Sequence, residues 1–419
     1  MSTQDATSHT VVIGAGINGV ATAIWLARAG HKVTLVDRLP PGEGTSHGNA
    51  GILASCAIVP VTTPGLLGKA PGMLMDPDSP LFMRWSYLPG MLPWLGRYLS
   101  HANDADTRRI AGQLKFMLGD SVEQHQDLAG NTVADQWLVP SEYQFAYRNR
   151  AEFDAESYVW NLRRENGFEP EILEGAAVQE KEPALGEGIG MLAVMKQLHG
   201  HIRSPGLYVK SLAQVFQELG GTIVQAQVQG MELVDDRIKA VNTDQGPLRC
   251  DTAVLATGVW SKPLAQKLGI TVPLESERGY HVIFKEPSQC VKVPTMISSG
   301  KFVATPMHDG MRCAGIVEFG GLDKGPSRKP VELLMRKVKE LMPTLQYSET
   351  VEWMGHRPAT ADSLPFVGEI RSTGIYTAFG HQHIGLTGGA KTGRLVAGLI
   401  TGEQQAEELS AFRPDRFQA

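Results

Sequence analysis

Two glycine-rich turns carry the clearest chemistry in the sequence, and each stands immediately before an apolar helix. The first turn reads Gly14-Ala15-Gly16-Ile17-Asn18-Gly19. Its first glycine allows a tight turn, the second admits a pyrophosphate, and the third lets the helix pack closely on the preceding strand. The unpaired N–H groups and the positive dipole end of the helix then bind phosphate without a basic side chain. This turn therefore predicts a dinucleotide site.

An acidic residue strengthens this prediction. Asp37 follows Gly19 by 18 residues, at the end of the next predicted strand. A carboxylate in this place accepts hydrogen bonds from both hydroxyls of an adenosine ribose and disfavours a 2′-phosphate. The neighbouring Arg38 is either a further cofactor contact or a solvated side chain. NAD and FAD both satisfy this pattern, so the N-terminal region alone leaves the cofactor open.

The second turn separates the two cofactors. The stretch Gly380-His381-Gln382-His383-Ile384-Gly385-Leu386-Thr387-Gly388-Gly389 precedes an apolar helix that reaches Ile400. It directs another helix N-terminus at an electron-rich group, unless the turn is purely structural. The N1/O2 edge of a flavin fits, because reduced flavin develops negative charge there. His381 and His383 lack the acidic or cysteine partners of a metal site, so we predict FAD and no metal.

The elements around the first turn form a complete strand–helix–strand unit. Thr10 to Ile13 is a short buried strand, apolar residues at helical spacing predict a helix that Gly30 ends, and His31 to Val36 is a second strand. A unit of about thirty residues of this kind begins a parallel sheet. The apolar run 251–256 predicts another strand of the same sheet.

The remaining segments predict a second domain. Residues 62–99 are rich in Pro, Gly, Met and Trp and do not resemble a regular strand, whereas 107–180 has helical spacing. Helices are predicted over 204–219 and 331–341. Paired strands are predicted over 222–234 and 237–243, and antiparallel strands over 281–284, 302–306 and 311–317.

The predicted fold class is α/β, or α+β over the whole chain, with two interleaved domains. A Rossmann-type FAD-binding domain is expected from residues 1–62, 200–272 and 353–419. A substrate domain built on an antiparallel sheet is expected from residues 63–199 and 273–352. This division rests on the order of the predicted elements.

Composition excludes several classes of protein. With 419 residues, 42% hydrophobic and 20% charged, the chain is that of a globular protein with about two domains. A net charge of -5 provides no basic field for nucleic acid. The four scattered cysteines indicate neither a zinc site nor a disulfide framework. The polar start and the lack of about 18 consecutive apolar residues predict a cytoplasmic protein without a transmembrane helix.

Several further motifs carry a family resemblance that runs from end to end. They are Ser46-His47-Gly48-Asn49-Ala50-Gly51, Ala256-Thr257-Gly258, Arg278-Gly279-Tyr280, and Gly355-His356-Arg357-Pro358 with Asp362 and Pro365. Together with both glycine turns, they make the sequence similar to the FAD-dependent D-amino-acid oxidase superfamily. It most resembles the bacterial D-amino-acid dehydrogenases, including those that resemble D-hydroxyproline dehydrogenase.

The resemblance implies an FAD that is held across the first domain, with Asn49-Ala50-Gly51 running beside the flavin. It places Asp37 on the adenosine ribose, the backbone of Val228 on the adenine, and the second glycine turn at the pyrimidine side of the flavin. The residues it assigns to the cofactor, besides those of the first turn, are Ser46, Asn49, Ala50, Gly51, Ile52, Val228, Thr257, Gly258, Gly385, Leu386 and Thr387. No Cys or His stands where covalent attachment is expected, so the FAD is predicted to be non-covalent.

The resemblance also assigns residues to the substrate. In the family, the arginine matching Arg357 binds the substrate carboxylate, for which a planar guanidinium is well suited; the alternative is a surface ion pair. The Tyr280 hydroxyl is either a second donor to the carboxylate or part of the core packing. His281 is a weaker candidate. His383 lies near the position where more distant amine oxidases have an arginine that contacts the substrate carboxylate. The substrate contacts of those oxidases therefore do not all carry over to this sequence.

The implied reaction is oxidative deamination of a D-amino acid, or of a cyclic D-imino acid such as D-hydroxyproline. A hydride passes from Cα to flavin N5, and a quinone or another carrier takes the electrons. The alternatives are an oxygen-using amine oxidase of the glycine or sarcosine type, an NAD-linked dehydrogenase and a non-enzymic flavoprotein. The segment Trp85 to Trp94 is either a peripheral contact with the inner face of the cell membrane or buried in a core or dimer contact. The oligomeric state is left open.

Overall fold

The structure is a computed structural model that describes residues 8–66, 68, 72, 76, 78–403 and 406–418. Within these residues the strands form a six-stranded sheet, a nine-stranded sheet and two three-stranded sheets. The strands are β1 (His9–Ile13), β2 (Lys32–Asp37), β3 (Ile52–Ala54), β4 (Leu81–Met83), β5 (Leu138–Pro140), β6 (Tyr143–Tyr147), β7 (Glu171–Glu174), β8 (Met191–Met195), β9 (His199–Ile202), β10 (Thr222–Gln225), β11 (Val228–Val234), β12 (Arg237–Thr243), β13 (Gly246–Arg249), β14 (Thr252–Leu255), β15 (Leu274–Phe284), β16 (Thr295–Ile297), β17 (Phe302–Met307), β18 (Gly310–Phe319), β19 (Thr350–Thr360), β20 (Phe366–Glu369) and β21 (Ile375–Phe379).

The helices lie between these strands and cover the sheets. They are α1 (Ile17–Arg28), α2 (Leu88–Ser100), α3 (Asp104–Leu118), α4 (Ser121–Ala129), α5 (Arg150–Asp154), α6 (Ser157–Glu165), α7 (Ala176–Lys181), α8 (Pro205–Glu218), α9 (Ser261–Lys267), α10 (Arg328–Leu341) and α11 (Gly389–Thr401). Short 3-10 helices occupy Trp85–Tyr87, Asp135–Trp137, Gly258–Trp260 and Ala406–Phe412. No helix within the described ranges is both long and apolar enough to cross a membrane.

The six-stranded sheet is the Rossmann-type sheet that the sequence predicts. Its order is β10-β2-β1-β14-β21-β20, with β20 antiparallel and the other neighbours parallel. The predicted strand 222–234 proves to be two strands. After β10, the Ala226 N–H donates to the Asp37 carbonyl at 2.9 Å. The chain then leaves the sheet, and β11 pairs with β12 in a small antiparallel sheet.

The nine-stranded sheet is largely antiparallel, as predicted. Its order is β19-β15-β18-β17-β16-β6-β8-β7, and β4 pairs with the end of β18. All of β19 pairs with β15, so the predicted boundary between residues 352 and 353 falls inside a strand. The boundary between 199 and 200 also falls inside one, β9. The two-domain division stays a prediction, and we propose that residues 350–360 belong with the substrate sheet.

Two segments contain elements that the sequence patterns did not predict. Residues 107–180, predicted as helical, also contain β5, β6 and β7. All five residues of β6 are buried, so this strand lacks the polar alternation by which a strand is recognised. In 62–99 the chain forms β4 and α2, where Pro89 is tolerated in the first turn. Within 85–94, Met91 and Trp94 are buried, whereas Trp85 and Leu92 are 61% and 54% exposed.

Candidate active site

A cavity of about 800 Å³ brings most of the predicted site residues together. It is bounded by the carboxyl ends of the Rossmann-type strands, by the second glycine turn and by the nine-stranded sheet. The predicted residues in its wall are Gly16, Ile17, Asn18, Asp37, Arg38, Ser46, Asn49, Ala50, Ile52, Val228, Thr257, Gly258, Tyr280, Arg357, His383, Gly385, Leu386 and Thr387. Gly14, Gly19, Gly51 and His281 are not part of this wall.

The first glycine turn has the close packing that its pattern predicts. Gly14 has φ +110°, and a Cβ on Gly19 would stand 1.8 Å from the Gly14 carbonyl oxygen. Gly16 precedes α1 and supplies no side-chain cap, while the Ile17 N–H donates to Ser46 Oγ at 3.1 Å. The positive end of α1 therefore faces the cavity, with Ser46 Oγ as the side-chain acceptor beside its first N–H group.

The polar groups beside this turn fit the ribose and phosphate parts of a dinucleotide. The Asp37 carboxylate accepts hydrogen bonds from the N–H groups of Ala15 at 2.7 Å and Leu39 at 3.0 Å. Each carboxylate oxygen keeps a lone pair for a further donor. Asn18 Oδ1 is buried without a partner among the described residues, as an acceptor awaiting a ligand hydroxyl would be. The residues present therefore fit FAD.

Arg38 has a partner that the sequence did not indicate. Its guanidinium carbon lies 4.5 Å from the centre of the Trp260 ring, and both side chains line the cavity near Val228. This stacking is a cation–π contact, which holds the Arg38 side chain against the wall. Of the two interpretations of Arg38, the position in the wall favours a cofactor contact.

The second glycine turn is held by side chains from α4, a role that the sequence patterns did not predict. Ser121 Oγ donates to the Thr387 carbonyl at 2.7 Å, and His125 Nε2 donates to the Leu386 carbonyl at 2.9 Å. The Thr387 hydroxyl donates to the Ile52 carbonyl at 2.9 Å. Nothing in the local pattern of α4 distinguishes Ser121 or His125 from core residues, because their partners are more than 250 residues away.

His125 gives the fold a dependence on pH. Its Nδ1 is hydrogen-bonded to the Tyr208 hydroxyl at 2.8 Å. Burial lowers the pKa of His125 to about 4, from 6.5. Since the unfolded chain takes up this proton more readily, the free energy of unfolding falls as the pH drops from about 6.5 towards 4.

We expect His125→Gln to weaken this pH dependence. Glutamine can still donate to the Leu386 carbonyl but cannot be protonated. Between pH 7.5 and 5.5 the variant should lose about 1 kcal/mol less stability than the unaltered protein. Urea unfolding at both pH values measures the difference, with His308→Asn at an exposed histidine as the control. Equal losses in both variants would contradict this role of His125.

A buried arginine holds the loop between Ser46 and Gly51. The Arg312 guanidinium donates to the carbonyls of His47 and Asn49, and burial lowers the pKa of Arg312 to about 10. The loop is also braced from within, because Asn49 Oδ1 accepts the Gly51 N–H at 2.8 Å. These bonds fix the backbone that we expect to run beside the flavin.

His281 braces the same loop and does not face the substrate region. Its Nδ1 is bonded to the Gly48 carbonyl at 2.9 Å, and its ring stacks on Trp353 with 5.2 Å between centres. Only 2% of the residue is exposed, and burial lowers its pKa to about 3. We therefore correct the sequence-based interpretation of His281 from a substrate contact to a support of the loop.

Arg357 lies on the cavity face of β19 beside the second glycine turn. Its Nη1 donates to Glu277 Oε1 at 2.7 Å, and the two residues are direct neighbours across β15 and β19. Its guanidinium covers Gly279, where a Cβ would stand 2.6 Å from the guanidinium carbon. The side chain remains partly exposed in the cavity, with donors left for a carboxylate.

Backbone bonds join this strand to the second glycine turn. The Gln382 N–H donates to the Pro358 carbonyl at 3.1 Å, and Ala359 and His381 form an isolated β-bridge. His383 follows this bridge and is exposed to the cavity. The surrounding protein lowers the pKa of His383 by desolvation, with Glu277 raising it and Arg357 lowering it. Arg357 and His383 therefore face the same space.

The Tyr280 hydroxyl has other partners than the substrate. It donates to Glu318 Oε2 at 2.6 Å and accepts the Ser327 N–H at 2.9 Å. Arg278 Nη1 also binds Glu318, in a buried network on the far face of the sheet. Although the residue borders the cavity, its hydroxyl is committed to this network. We therefore correct the interpretation of Tyr280 as a carboxylate donor to one of packing.

His381 is committed to hydrogen bonds within the protein. His381 is 2% exposed and is bonded to Asn18 Nδ2 at 3.1 Å and Thr392 Oγ1 at 2.9 Å. It thus ties α1 to α11. Across the part of the chain that the structure describes, no three His, Cys, Asp or Glu side chains are grouped to hold a metal ion.

Comparisons with known proteins agree with this geometry. The pattern of the FAD dependent oxidoreductase (DAO) family matches residues 9–399. A D-amino-acid oxidase of Bradyrhizobium diazoefficiens is 39% identical over 417 residues, which cover 98% of this chain and 99% of that protein. A D-amino acid dehydrogenase of Paramagnetospirillum magneticum is 29% identical over 427 residues, covering 97% of this chain and 98% of the relative.

A solved structure shows the same fold. Glycine oxidase from Geobacillus kaustophilus has a TM-score of 0.74 at 20% identity, covering 99% of this chain and 100% of that one. The fold class, the cofactor and the family resemblance predicted from the sequence are thereby confirmed, and the NAD alternative is set aside. The chain belongs to the FAD dependent oxidoreductase family, and its cofactor is FAD.

Proposed function

We propose that this FAD-dependent oxidoreductase oxidises a D-amino acid, or a cyclic D-imino acid such as D-hydroxyproline, to the corresponding imino acid. One observation carries the proposal: Arg357 lies in the wall of the same cavity as both glycine turns. A substrate carboxylate held by Arg357 would lie next to the FAD that the two glycine turns hold. The names of the 39% and 29% identical relatives support a D-amino acid as the substrate.

The first turn, Asp37 and Arg38 would hold the adenosine and pyrophosphate, and Asn49 to Ile52 with Gly385 to Thr387 would hold the flavin. When bound, FAD supplies the acceptor for the hydride that leaves the substrate Cα. These residues offer the cofactor hydrogen-bonding groups and helix N-termini, and the cavity wall contains no cysteine. We therefore expect the cofactor to be non-covalent.

Substrate orientation is the main task of the side chains. Arg357 uses one donor for Glu277 and presents the others to the substrate carboxylate, which fixes the direction of the Cα–H bond. His383 faces the same space as Arg357, and a neutral His383 imidazole would offer a nitrogen lone pair to the substrate ammonium. No nucleophile is required, because the imino acid product hydrolyses in water.

A D-amino acid should bleach the flavin of the purified protein without oxygen. We expect anaerobic mixing with a panel of D-amino acids and D-hydroxyprolines to remove the oxidised flavin absorbance, since Arg357 orients Cα towards the cofactor. The L-enantiomers, glycine and sarcosine are the controls, measured by stopped flow. Equal bleaching by L-enantiomers, or bleaching only by glycine and sarcosine, would contradict the proposal.

For the electron acceptor we propose a quinone or another carrier, with the protein touching the inner face of the cell membrane. The exposed Trp85 and Leu92 support this, because such side chains favour a membrane interface. The relative named as an oxidase supports oxygen instead. Mixing the reduced enzyme with air-saturated buffer or with a soluble quinone distinguishes the two, and faster reoxidation by oxygen would favour an oxidase.

A further inference from the structure

A second arginine lines the cavity and takes no part in the proposed reaction. Arg163 lies on α6, and 9% of the residue is exposed. Its guanidinium carbon stands 4.6 Å from the ring centres of both Phe145 and Trp160. These cation–π contacts hold the charged group in place and exclude water from part of it. The side chain is therefore fixed at the cavity wall.

The guanidinium of Arg163 lacks a counter-charge. Its Nε donates to the Cys56 carbonyl at 3.4 Å, and its buried Nη1 has no partner. No carboxylate among residues 8–66, 78–403 and 406–418 forms an ion pair with it, whereas Arg357 is paired with Glu277. Burying an unpaired cation is unfavourable, because the charge loses hydration without gaining a partner. Such a group at a cavity wall indicates an anionic ligand.

Tyr143 provides a second donor at the same place. The residue is 7% exposed and lines the cavity, and its ring centre lies 4.8 Å from that of Phe145. Its hydroxyl makes no hydrogen bond to another residue that the structure describes. Burial raises the pKa of Tyr143 and the nearby Arg163 opposes the rise, so the hydroxyl keeps its proton. An arginine and a tyrosine hydroxyl on one wall are suitable donors for a carboxylate.

An apolar surface extends from Phe145 across the next two strands. Met296 on β16 is the direct neighbour of Phe145, and Val303 on β17 is the direct neighbour of Met296. Direct neighbours in a sheet present their side chains on the same face, and all three residues line the cavity. Two strand spacings make this surface roughly 10 Å long, which accommodates a short alkyl chain.

Arg357 lies too far along the sheet to share a small ligand with Arg163. It is on β19, and β15, β18, β17 and β16 separate that strand from β6, which carries Phe145. Five strand spacings amount to roughly 24 Å, several times the length of a small amino acid. A ligand at Arg163 is therefore held separately from a substrate carboxylate at Arg357.

We propose that Arg163 and Tyr143 form a binding site for a monocarboxylate with a short alkyl chain. Its carboxylate accepts hydrogen bonds from the guanidinium and the tyrosine hydroxyl, and its alkyl chain lies along Phe145, Met296 and Val303. The bound anion supplies the charge that Arg163 lacks. This ligand is additional to the amino acid, so the inference goes beyond the proposed function.

Calorimetry of the FAD-loaded protein tests this site with hexanoate and 1-hexanol as probes. Arg357→Ala is the background, because it lacks the other arginine that is proposed to bind a carboxylate. Hexanoate should bind this variant, and 1-hexanol should bind it at least about tenfold more weakly. Adding Arg163→Met should raise the dissociation constant of hexanoate at least about tenfold, since hydrogen bonds to a charged group are lost. Methionine keeps an apolar side chain beside the two rings.

Two further variants isolate the second donor and control for the loss of an arginine. Tyr143→Phe keeps the ring and should raise the dissociation constant of hexanoate about three- to tenfold, since one hydrogen bond is lost. Arg394→Met is the matched control: this arginine also lies over an aromatic ring, that of Trp25, but it is exposed and paired with Asp127. It should leave hexanoate binding unchanged.

Absence of hexanoate binding in FAD-loaded Arg357→Ala would overturn the inference, as would unchanged binding after Arg163→Met. If Arg163→Met does not retain FAD, the other measurements decide. Equal affinity for the two probes then overturns the inference, and tighter binding of hexanoate that Tyr143→Phe weakens supports it. Since none of these measurements uses flavin reduction, a protein whose flavin no D-amino acid bleaches would contradict the proposed function and leave this site standing.

Discussion

Replacing Arg357 with alanine is expected to lower the second-order rate constant of flavin reduction by a D-amino acid about a thousandfold. The guanidinium would lose about two charge-assisted hydrogen bonds to the substrate carboxylate, which together contribute on the order of 4 kcal/mol. The change also leaves Glu277 in the cavity wall without its partner, and this carboxylate then repels the substrate. Anaerobic stopped-flow measurements over a range of substrate concentrations give the result.

Two further variants separate this role from a structural one. Arg328→Ala removes an ion pair with Glu352 of the same strand, β19, outside the cavity, and should leave reduction unchanged. The double variant Arg357→Ala, Glu277→Gln should recover part of the loss, because it removes the repelling charge. FAD content should be unaltered in all of them. Unchanged reduction in Arg357→Ala would remove this residue from the site.

Replacing Gly19 with alanine is expected to weaken FAD binding at least about a hundredfold. The added Cβ would stand 1.8 Å from the Gly14 carbonyl oxygen, which belongs to backbone and cannot rotate away. Forcing α1 and the turn apart costs about 3 kcal/mol or more, which corresponds to an affinity for FAD at least about a hundredfold lower. The flavin absorbance per mole of purified protein, followed by titration with FAD, measures the change.

A matched glycine in another helix serves as the control. Gly112 is exposed within α3, and a Cβ placed there meets no atom within 4 Å. Gly112→Ala should therefore bind FAD normally and be more stable by about 0.5–1 kcal/mol, because alanine favours the helix. Full FAD content in Gly19→Ala would show that the close packing of the first turn is not needed for the cofactor.

The sequence allowed the cofactor end of the site to be predicted because its information is local. The turn from Gly14 to Gly19, the helix after it and Asp37 all lie within one strand–helix–strand unit. Their spacing follows from the geometry of that unit, so the pattern identifies both the fold and the ligand class. The second turn is equally local in sequence, but the side chains that hold it, Ser121 and His125, come from a distant part of the chain.

The substrate end could be predicted only in part, because its contacts join distant parts of the chain. Glu277 meets Arg357 through the pairing of β15 with β19. No spacing rule connects such residues. Tyr280 shows the converse error: its position in a motif drew attention to the hydroxyl, but the face of β15 on which the side chain lies directs that hydroxyl to Glu318.

The bridge between β19 and the second glycine turn has a consequence for how this enzyme could diversify. The bonds at Pro358, Ala359, His381 and Gln382 are made by main-chain atoms, so they persist when side chains change. The spacing between Arg357, the proposed carboxylate anchor, and the second glycine turn is therefore set by the backbone. Mutations elsewhere in the cavity wall can alter which substrate side chain is accepted without changing that spacing. Substrate preference could then change while the rate of the chemical step is little affected.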